Sequence, residues 1–190
     1  MTGSTTDTRQ IIMNAARVMV QARGYNALSF REIGKEIGIK SASIHYHFPT
    51  KGDLGAALAH QYTEDALAFF GTLKEAALEP TTCMEKYTGI FREALLNNNR
   101  MCLAGIMAAE HDDLSPEVRI EVDRFTDENI RWLTEILAGK KTGLSDEQLR
   151  SQALAIFSAI EGAQLVARGR GDVAVFDQTI ATYRSMGLIP

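Results

Sequence analysis

Residues 28–54 read LSFREIGKEIGIKSASIHYHFPTKGDL, and the caps, glycines and proline in this stretch restrict it to two short helices on a tight turn with a third helix close behind. A helix needs acceptors for its first unpaired amides and an apolar stripe to bury. Ser29 with Glu32 fits a capping box, and Ile33 and Ile37 share one face. Gly38 suits the left-handed residue that ends such a helix. After Ile39 a second helix is expected from about Ser41 to Phe48, with Ile44 and Phe48 pointing inward together. Pro49 disfavours helix at Phe48, and Thr50 with Asp53 caps a third helix. Helix, short turn, helix and sharp stop is the helix-turn-helix pattern.

Burial of Ile44 and Phe48 turns Lys40, Ser41, Ser43, His45, Tyr46 and His47 outward. Short donors and acceptors beside polar rings suit base edges in a major groove and phosphates on its rims. Lys51 adds a cation in the first turn of the next helix, where unpaired amides carry partial positive charge. Any one of these side chains alone is ordinarily just solvated; the reading rests on their grouping. His45 and His47, two apart on a helix, point to nearly opposite sides and do not suit a shared metal ion. Charge gives an independent check. Residues 1–51 carry seven Lys/Arg against three acids, a balance of +4, and the remainder carries −8, for the chain's −4. A basic head on an acidic body is what a DNA reader with a separate non-DNA-binding part requires.

The segment resembles the DNA-binding domain of the TetR family of bacterial transcriptional regulators. Its pattern of a Gly-aromatic pair, a capped helix, an Ile, a Gly and a closing aromatic-His-Phe-x-x-Lys block is met by Gly24, Tyr25, Ser29, Ile33, Gly38, Tyr46, His47, Phe48, Thr50 and Lys51. The resemblance implies that Ser29, Tyr46, His47 and Lys51 touch the DNA backbone and that Lys40, Ser41, Ala42, Ser43 and His45 lie at or near base edges. Lys40 stands where Ser or Thr is usual in the family, Ala42 where Gly is frequent, and His45 where Tyr is frequent; these departures bear on the operator sequence.

The rest of the chain reads as helix. There are four prolines, at 49, 80, 116 and 190, and no run alternates as a half-buried strand would. Helices are expected at about 7–23, from Lys51 to about Leu78, from a Thr82/Glu85 cap to Asn97–Asn99, and from about Cys102 to His111–Asp113. Others run from Ser115-Pro116 to Ala138, from a Ser145/Gln148 capping box to about Arg168 after a loop at Gly139–Gly143, and from Val173 to Met186. The expected fold is all-α, about nine helices in total: a three-helix DNA-binding domain at 5–65, joined by a long helix to a helical effector-binding and dimerisation domain at 66–190. No apolar stretch reaches the ~18 to 20 residues that span a bilayer, and MTGSTTDTRQ lacks the apolar core of a signal peptide. With Cys83 and Cys102 alone, a disulfide framework is not expected, and the reading is a cytoplasmic protein.

Two further sites are expected. Ile156, Phe157, Ile160, Ala163, Phe176, Ile180 and Tyr183 fit either an intrachain core or a homodimer interface of paired helices. A helix-turn-helix head reads one half-site, so a dimer with heads ~34 to 36 Å apart on a double-stranded operator is the reading adopted. Tyr62, Phe70, Tyr87, Phe91, Met101, Met107, Phe125 and Trp132, with His111 and Arg131 as polar contacts, are candidates either for plain core or for an apolar pocket taking a small-molecule effector. The resemblance implies that such an effector binds the body and alters the spacing of the heads. The leading reading is a ligand-responsive regulator, a repressor that binds a palindromic operator and is released by its effector. Alternatives are a DNA-binding regulator controlled by a partner protein or by thiol chemistry at Cys102, and a helical enzyme with an unrecognised site. No metal, cofactor or catalytic residue is expected. There is no G-x-S-x-G, phosphate-binding loop, H-E-x-x-H or paired-Cys zinc spacing, and Gly169, Gly171 and Ala174 match G-x-G-x-x-A without the strand that fingerprint needs.

Overall fold

The computed structural model describes residues 5–139 and 143–190, so residues 140–142 of the expected Gly139–Gly143 loop lie outside the described residues. Among the described residues all regular structure is helical: α1 Thr5–Arg23, α2 Phe30–Ile37, α3 Ser41–His47, α4 Lys51–Glu75, α5 Pro80–Leu96, α6 Leu103–Ala108, α7 Pro116–Ala138, α8 Asp146–Arg170 and α9 Val173–Ser185. A single 3-10 turn covers His111–Asp113. None of these helices is long and apolar enough to cross a membrane.

Helix ends follow local chemistry. Ser145 and Gln148 form both bonds of the expected capping box, and α8 runs to Arg170, two residues past expectation, because Gly171 supplies the left-handed cap. Asp172 then caps α9 through the Ala174 amide at 2.9 Å. Several other starts and stops differ from the sequence reading. α4 ends at Glu75 rather than near Leu78, with Ala77 at φ 48° leaving the helical region ahead of Pro80. α5 begins at Pro80 with Glu79 as its cap residue, so Thr82 sits inside the first turn; proline at the first helical position has no N–H to satisfy and its φ is already helical. α5 stops at Leu96 because Asn98 and Asn99 both turn left-handed, at φ 58° and 55°. The expected helix from Cys102 shortens to α6 plus the 3-10 turn.

The chain folds into two compact units. The first holds residues up to Glu64 together with Leu103–Phe125; the second holds Asp65–Cys102 and Thr126–Pro190. In the first, Ile12, Ala16 and Met19 of α1 pack on Ile33, Ile44 and Phe48, with Leu54 and Leu58 of α4, Leu103 and Met107 of α6, and Val118 and Val122 of α7 completing the core. In the second, α5, α8 and α9 pack on one another, burying Phe91, Leu95, Ile156, Ile160, Phe176 and Ile180. Residues 103–125, read from the sequence as part of the C-terminal body, belong to the first unit because α6 and the start of α7 give their apolar side chains to its core.

Two glycines make the turn between α2 and α3. Gly38, at φ 74°, ends α2 with its amide bonded to the Gly34 carbonyl. Gly34 is required by proximity: a Cβ there would stand 2.7 Å from the Ile39 carbonyl oxygen. Gly34→Ala is therefore expected to destabilise the protein by about 1–3 kcal/mol in urea unfolding. Gly89→Ala, whose Cβ meets open space within α5, is expected to be neutral or mildly stabilising in the same assay.

Candidate nucleic-acid interface

α2 is set by Ser29, whose Oγ accepts the Glu32 amide at 3.4 Å, and by its buried Ile33. α3 is anchored from one side. Ile44 is fully buried and Phe48 nearly so, and the Phe48 amide closes the helix on the Ile44 carbonyl at 2.8 Å. The opposite face is left to solvent: Lys40, Ala42, Ser43, His45 and Tyr46 are exposed, and Ser41 and His47 half-buried. Lys40 occupies the cap position of α3, makes no side-chain cap bond and is exposed.

Tyr46 is the clearest anomaly of this face. An aromatic side chain 78% exposed loses hydrophobic stabilisation without gaining a packing partner beyond the edge of His47, whose ring lies 5.2 Å away. Its phenol offers a donor and an acceptor at the surface. His45 is held more firmly. Its ring packs edge-on against Phe30 at 4.7 Å, and Nδ1 lies 3.2 Å from the Pro49 carbonyl oxygen. A carbonyl partner requires the proton on Nδ1, which makes Nε2 of the neutral ring an acceptor.

Lys51 opens α4 behind a reciprocal cap, in which the Thr50 amide donates to Asp53 at 2.9 Å and the Asp53 amide to Thr50 Oγ1 at 3.0 Å. Its ammonium sits 4.4 Å above the Tyr25 ring and donates to the Asn26 carbonyl at 3.3 Å. Burial pushes the Lys51 ammonium below the usual lysine range, while the carboxylates of Glu110 and Asp113 pull it back up. Those two acids also hold Asn26. Its amide donates to Glu110 at 2.7 Å and its side-chain nitrogen to Asp113 at 2.6 Å. The loop between α1 and α2 is thus fixed by residues 84 and 87 positions along the chain. Local pattern carries no signal for such contacts, and sequence reasoning gave Asn26 and Asp113 no part in this site.

An outward face of amphipathic rings, hydroxyls and lysine on a short helix packed on α1 and α2 has the chemistry to meet a groove lined with phosphates. Residues 12–58 match the bacterial regulatory proteins of the tetR family, and residues 80–182 match the C-terminal domain of LmrA/YxaF-like transcriptional regulators. A TetR transcriptional regulator from Legionella pneumophila is 31% identical over 100% of both chains, with a TM-score of 0.88. The chain belongs to the TetR family. It is a DNA-binding transcriptional regulator. A TetR-family regulator from Agrobacterium tumefaciens is 29% identical over 93% of this chain and 95% of its own, with a TM-score of 0.86. A regulatory protein TetR from Rhodobacter sphaeroides, 20% identical over 92% and 95%, shares the fold with a TM-score of 0.82. No curated protein matches the chain by sequence.

In this TetR-family regulator the remaining sequence-predicted residues fall into separate groups. Phe70, Tyr87, Phe91 and Trp132 come together in the second unit, with Phe70 stacked on Trp132 at 4.5 Å and Tyr87 tilted against it at 5.0 Å. Phe91 meets Tyr87 at 5.3 Å, and the Tyr87 hydroxyl donates to Asn129 at 2.8 Å. Met101 is buried in the same unit, whereas Arg131 is exposed and paired with Glu128. Tyr62 and Phe125 belong to the first unit, stacked at 5.0 Å beneath the Arg17 guanidinium; Met107 is in that unit's core, and His111 is exposed on the 3-10 turn. Among the described residues no cluster of three His, Cys, Asp or Glu side chains is placed to hold a metal ion.

Of the interface candidates, Ile156, Phe157, Ile160, Ala163, Phe176 and Ile180 are covered by their own chain and Tyr183 is half-buried. The face of α8 left uncovered carries Leu154, Leu165 and Val166, with Gly162 and Gly169 between and beside them. Sequence periodicity found the apolar positions of α8 without separating the face used inside the chain from the face left over.

A further residue was invisible in the sequence. Glu161 of α8 has a partly exposed stem but both carboxylate oxygens out of water, and among the described residues neither receives a hydrogen bond from an N–H or O–H group. The thiol of Cys102, a weak donor, is what faces it; burial pushes the Glu161 carboxyl up to about 7 and the thiol pulls slightly the other way.

Proposed function

We propose that this chain is a ligand-responsive repressor that binds a palindromic operator as a homodimer and is released from it by a small-molecule effector. Residues 5–65 are the DNA-binding domain in this reading, and 66–190 take the effector and the second copy; the protein acts in the cytoplasm. The observation that carries it is the outward face of α3, with Tyr46 78% exposed, followed by Lys51 at the start of α4. The DNA contacts are Ser29, Tyr46, His47 and Lys51 to phosphates and Lys40, Ser41, Ala42, Ser43 and His45 at base edges. The aromatic group around Trp132 supports an effector pocket in the second unit. An effector releases DNA only if it prefers the conformation that fits DNA poorly, and its differential affinity limits the effect.

For the dimer, the uncovered face of α8 supports the contact better than the side chains already buried. Leu154, Leu165 and Val166 are 49%, 59% and 54% exposed, and the adjacent glycines let a partner helix approach closely. Selection from random duplex DNA at two salt concentrations tests the whole reading. A palindrome with half-sites ~34 to 36 Å apart is expected, and Leu165→Arg is expected to leave a monomer that no longer selects it. Enrichment of a single half-site by wild type, or of no sequence, would overturn the proposal.

A further inference from the structure

Of the side chains proposed at base edges, His45 is the one whose hydrogen-bonding character the fold sets. Its Nδ1 lies 3.2 Å from the Pro49 carbonyl oxygen, an atom that only accepts, so the proton of the neutral ring stands on Nδ1. Phe30 supplies a second restraint. Its half-buried ring packs on the core of the first unit and meets the imidazole at 4.7 Å between centroids and 66° between planes. One polar and one aromatic contact therefore hold the His45 ring in place. The residue is exposed, and Nε2, at the far end of the ring from the backbone, makes no hydrogen bond among the described residues. What His45 offers to the outside is an acceptor without a donor.

Its neighbours make no such demand. Lys40 only donates, the Ser41 and Ser43 hydroxyls rotate to donate or accept, and Ala42 offers a methyl group. A pure acceptor requires a donor on the DNA, and in the major groove only adenine and cytosine present one, their exocyclic amines. Guanine and thymine present carbonyl oxygens there, and the guanine amine lies in the minor groove. Every base pair contains one amino base, so this contact does not separate A·T from G·C. It separates the two orientations of each pair. A guanine or thymine oxygen set against Nε2 leaves two acceptors facing each other unbonded, and that penalty gives the contact its selectivity.

We propose that His45 is a specificity-determining residue whose Nε2 accepts from the exocyclic amine of adenine or cytosine at one base pair of each half-site, so that the protein reads which strand carries the amino base. This rests on the reading of the outward face of α3 as the DNA surface and adds the class of base recognised. The family's frequent Tyr at this position carries a hydroxyl that both donates and accepts; the pinned imidazole narrows the choice to one.

The test compares sequences selected from random duplex DNA at pH 8 by the wild-type protein, by His45→Ala and by His45→Phe, which keeps a ring against Phe30 and has no acceptor. The wild type is expected to enrich adenine or cytosine over guanine and thymine on one strand, at a position where both variants lose the preference. In the selected operator that base is then replaced in both half-sites by its analogue without the amine, purine for adenine or pyrimidinone for cytosine. The replacement is expected to weaken wild-type binding about 25-fold more than binding by either variant, about 5-fold for each half-site. Identical preferences in the three proteins, guanine or thymine at the position that responds to residue 45, or equal sensitivity of wild type and variants to the analogues would each overturn the proposal. The reading it rests on fails separately. If a single half-site is enriched and both variants lose the amino-base preference, His45 stands and the palindromic dimer does not. If a palindrome is enriched unchanged by both variants, the dimer stands and His45 does not. No sequence enriched by wild type removes both.

Discussion

Replacing Tyr46 with Ala and Lys51 with Met in one chain is expected to weaken binding to the selected operator by about 100-fold while leaving the fold in place. Each side chain is proposed to make a hydrogen bond to a phosphate, and charge-assisted bonds are worth about 1.5–3 kcal/mol, which at the lower end is roughly ten-fold in affinity apiece. Tyr46 gives the cleaner half of the experiment. It is 78% exposed and contributes little to the core, so its loss should not register in thermal unfolding. Lys51 also covers Tyr25, and methionine keeps the stem; the cation–ring attraction forgone is about 0.5–1 kcal/mol. As a proposed phosphate contact, Lys51 should on replacement weaken all sequences about equally and make the salt dependence shallower by ~1. Operator affinity within a factor of two of wild type, with the protein folded, would place the DNA surface elsewhere on the chain.

Replacing Glu161 with Gln is expected to stabilise the protein at pH 8 by about 3 kcal/mol and by much less at pH 5. The carboxyl is raised from an ordinary 4.5 to about 7 by burial. Between those values the folded protein keeps a proton that the unfolded chain has released, so stability falls as pH rises through the window and levels off above it. A difference of about 2.5 pH units corresponds to about 3 kcal/mol. Glutamine has the same shape and does not titrate, so its urea midpoint should stay flat where the wild-type midpoint falls. Parallel curves across pH 5–8 would mean that Glu161 is solvated or paired. Other buried polar groups do not mimic this dependence: Gln164 and Asn129 are neutral, and burial of the Cys83 thiol raises its titration above the window.

Much of the head was legible because its constraints are local. A cap and its partner lie three residues apart, as in Ser29 with Glu32 and Ser145 with Gln148, and a left-handed stop such as Gly38 advertises itself by having no side chain. Proline misled at α5: the cap was expected at Thr82, whereas Pro80 serves as the first residue of the helix. Periodicity identified Ile156, Ile160, Phe176 and Ile180 as apolar positions to be buried, which they are. Whether a neighbouring subunit or the chain itself buries them is a question of tertiary packing that no periodicity answers.

By itself the sequence determined the all-helical class, the helix-turn-helix segment, the outward face of α3 and the family, since each depends on side chains within a few residues of one another. Only the tertiary structure decided the rest. It drew residues 103–125 into the first unit, clamped Asn26 between Glu110 and Asp113, and separated Tyr62, Met107, His111 and Phe125 from the aromatic group around Trp132. It also left Leu165 and Val166 uncovered and enclosed Glu161 without a cation. The physical reason is the same in each case: burial and pairing are properties of what surrounds a side chain, and for these residues the surroundings come from segments distant in the chain.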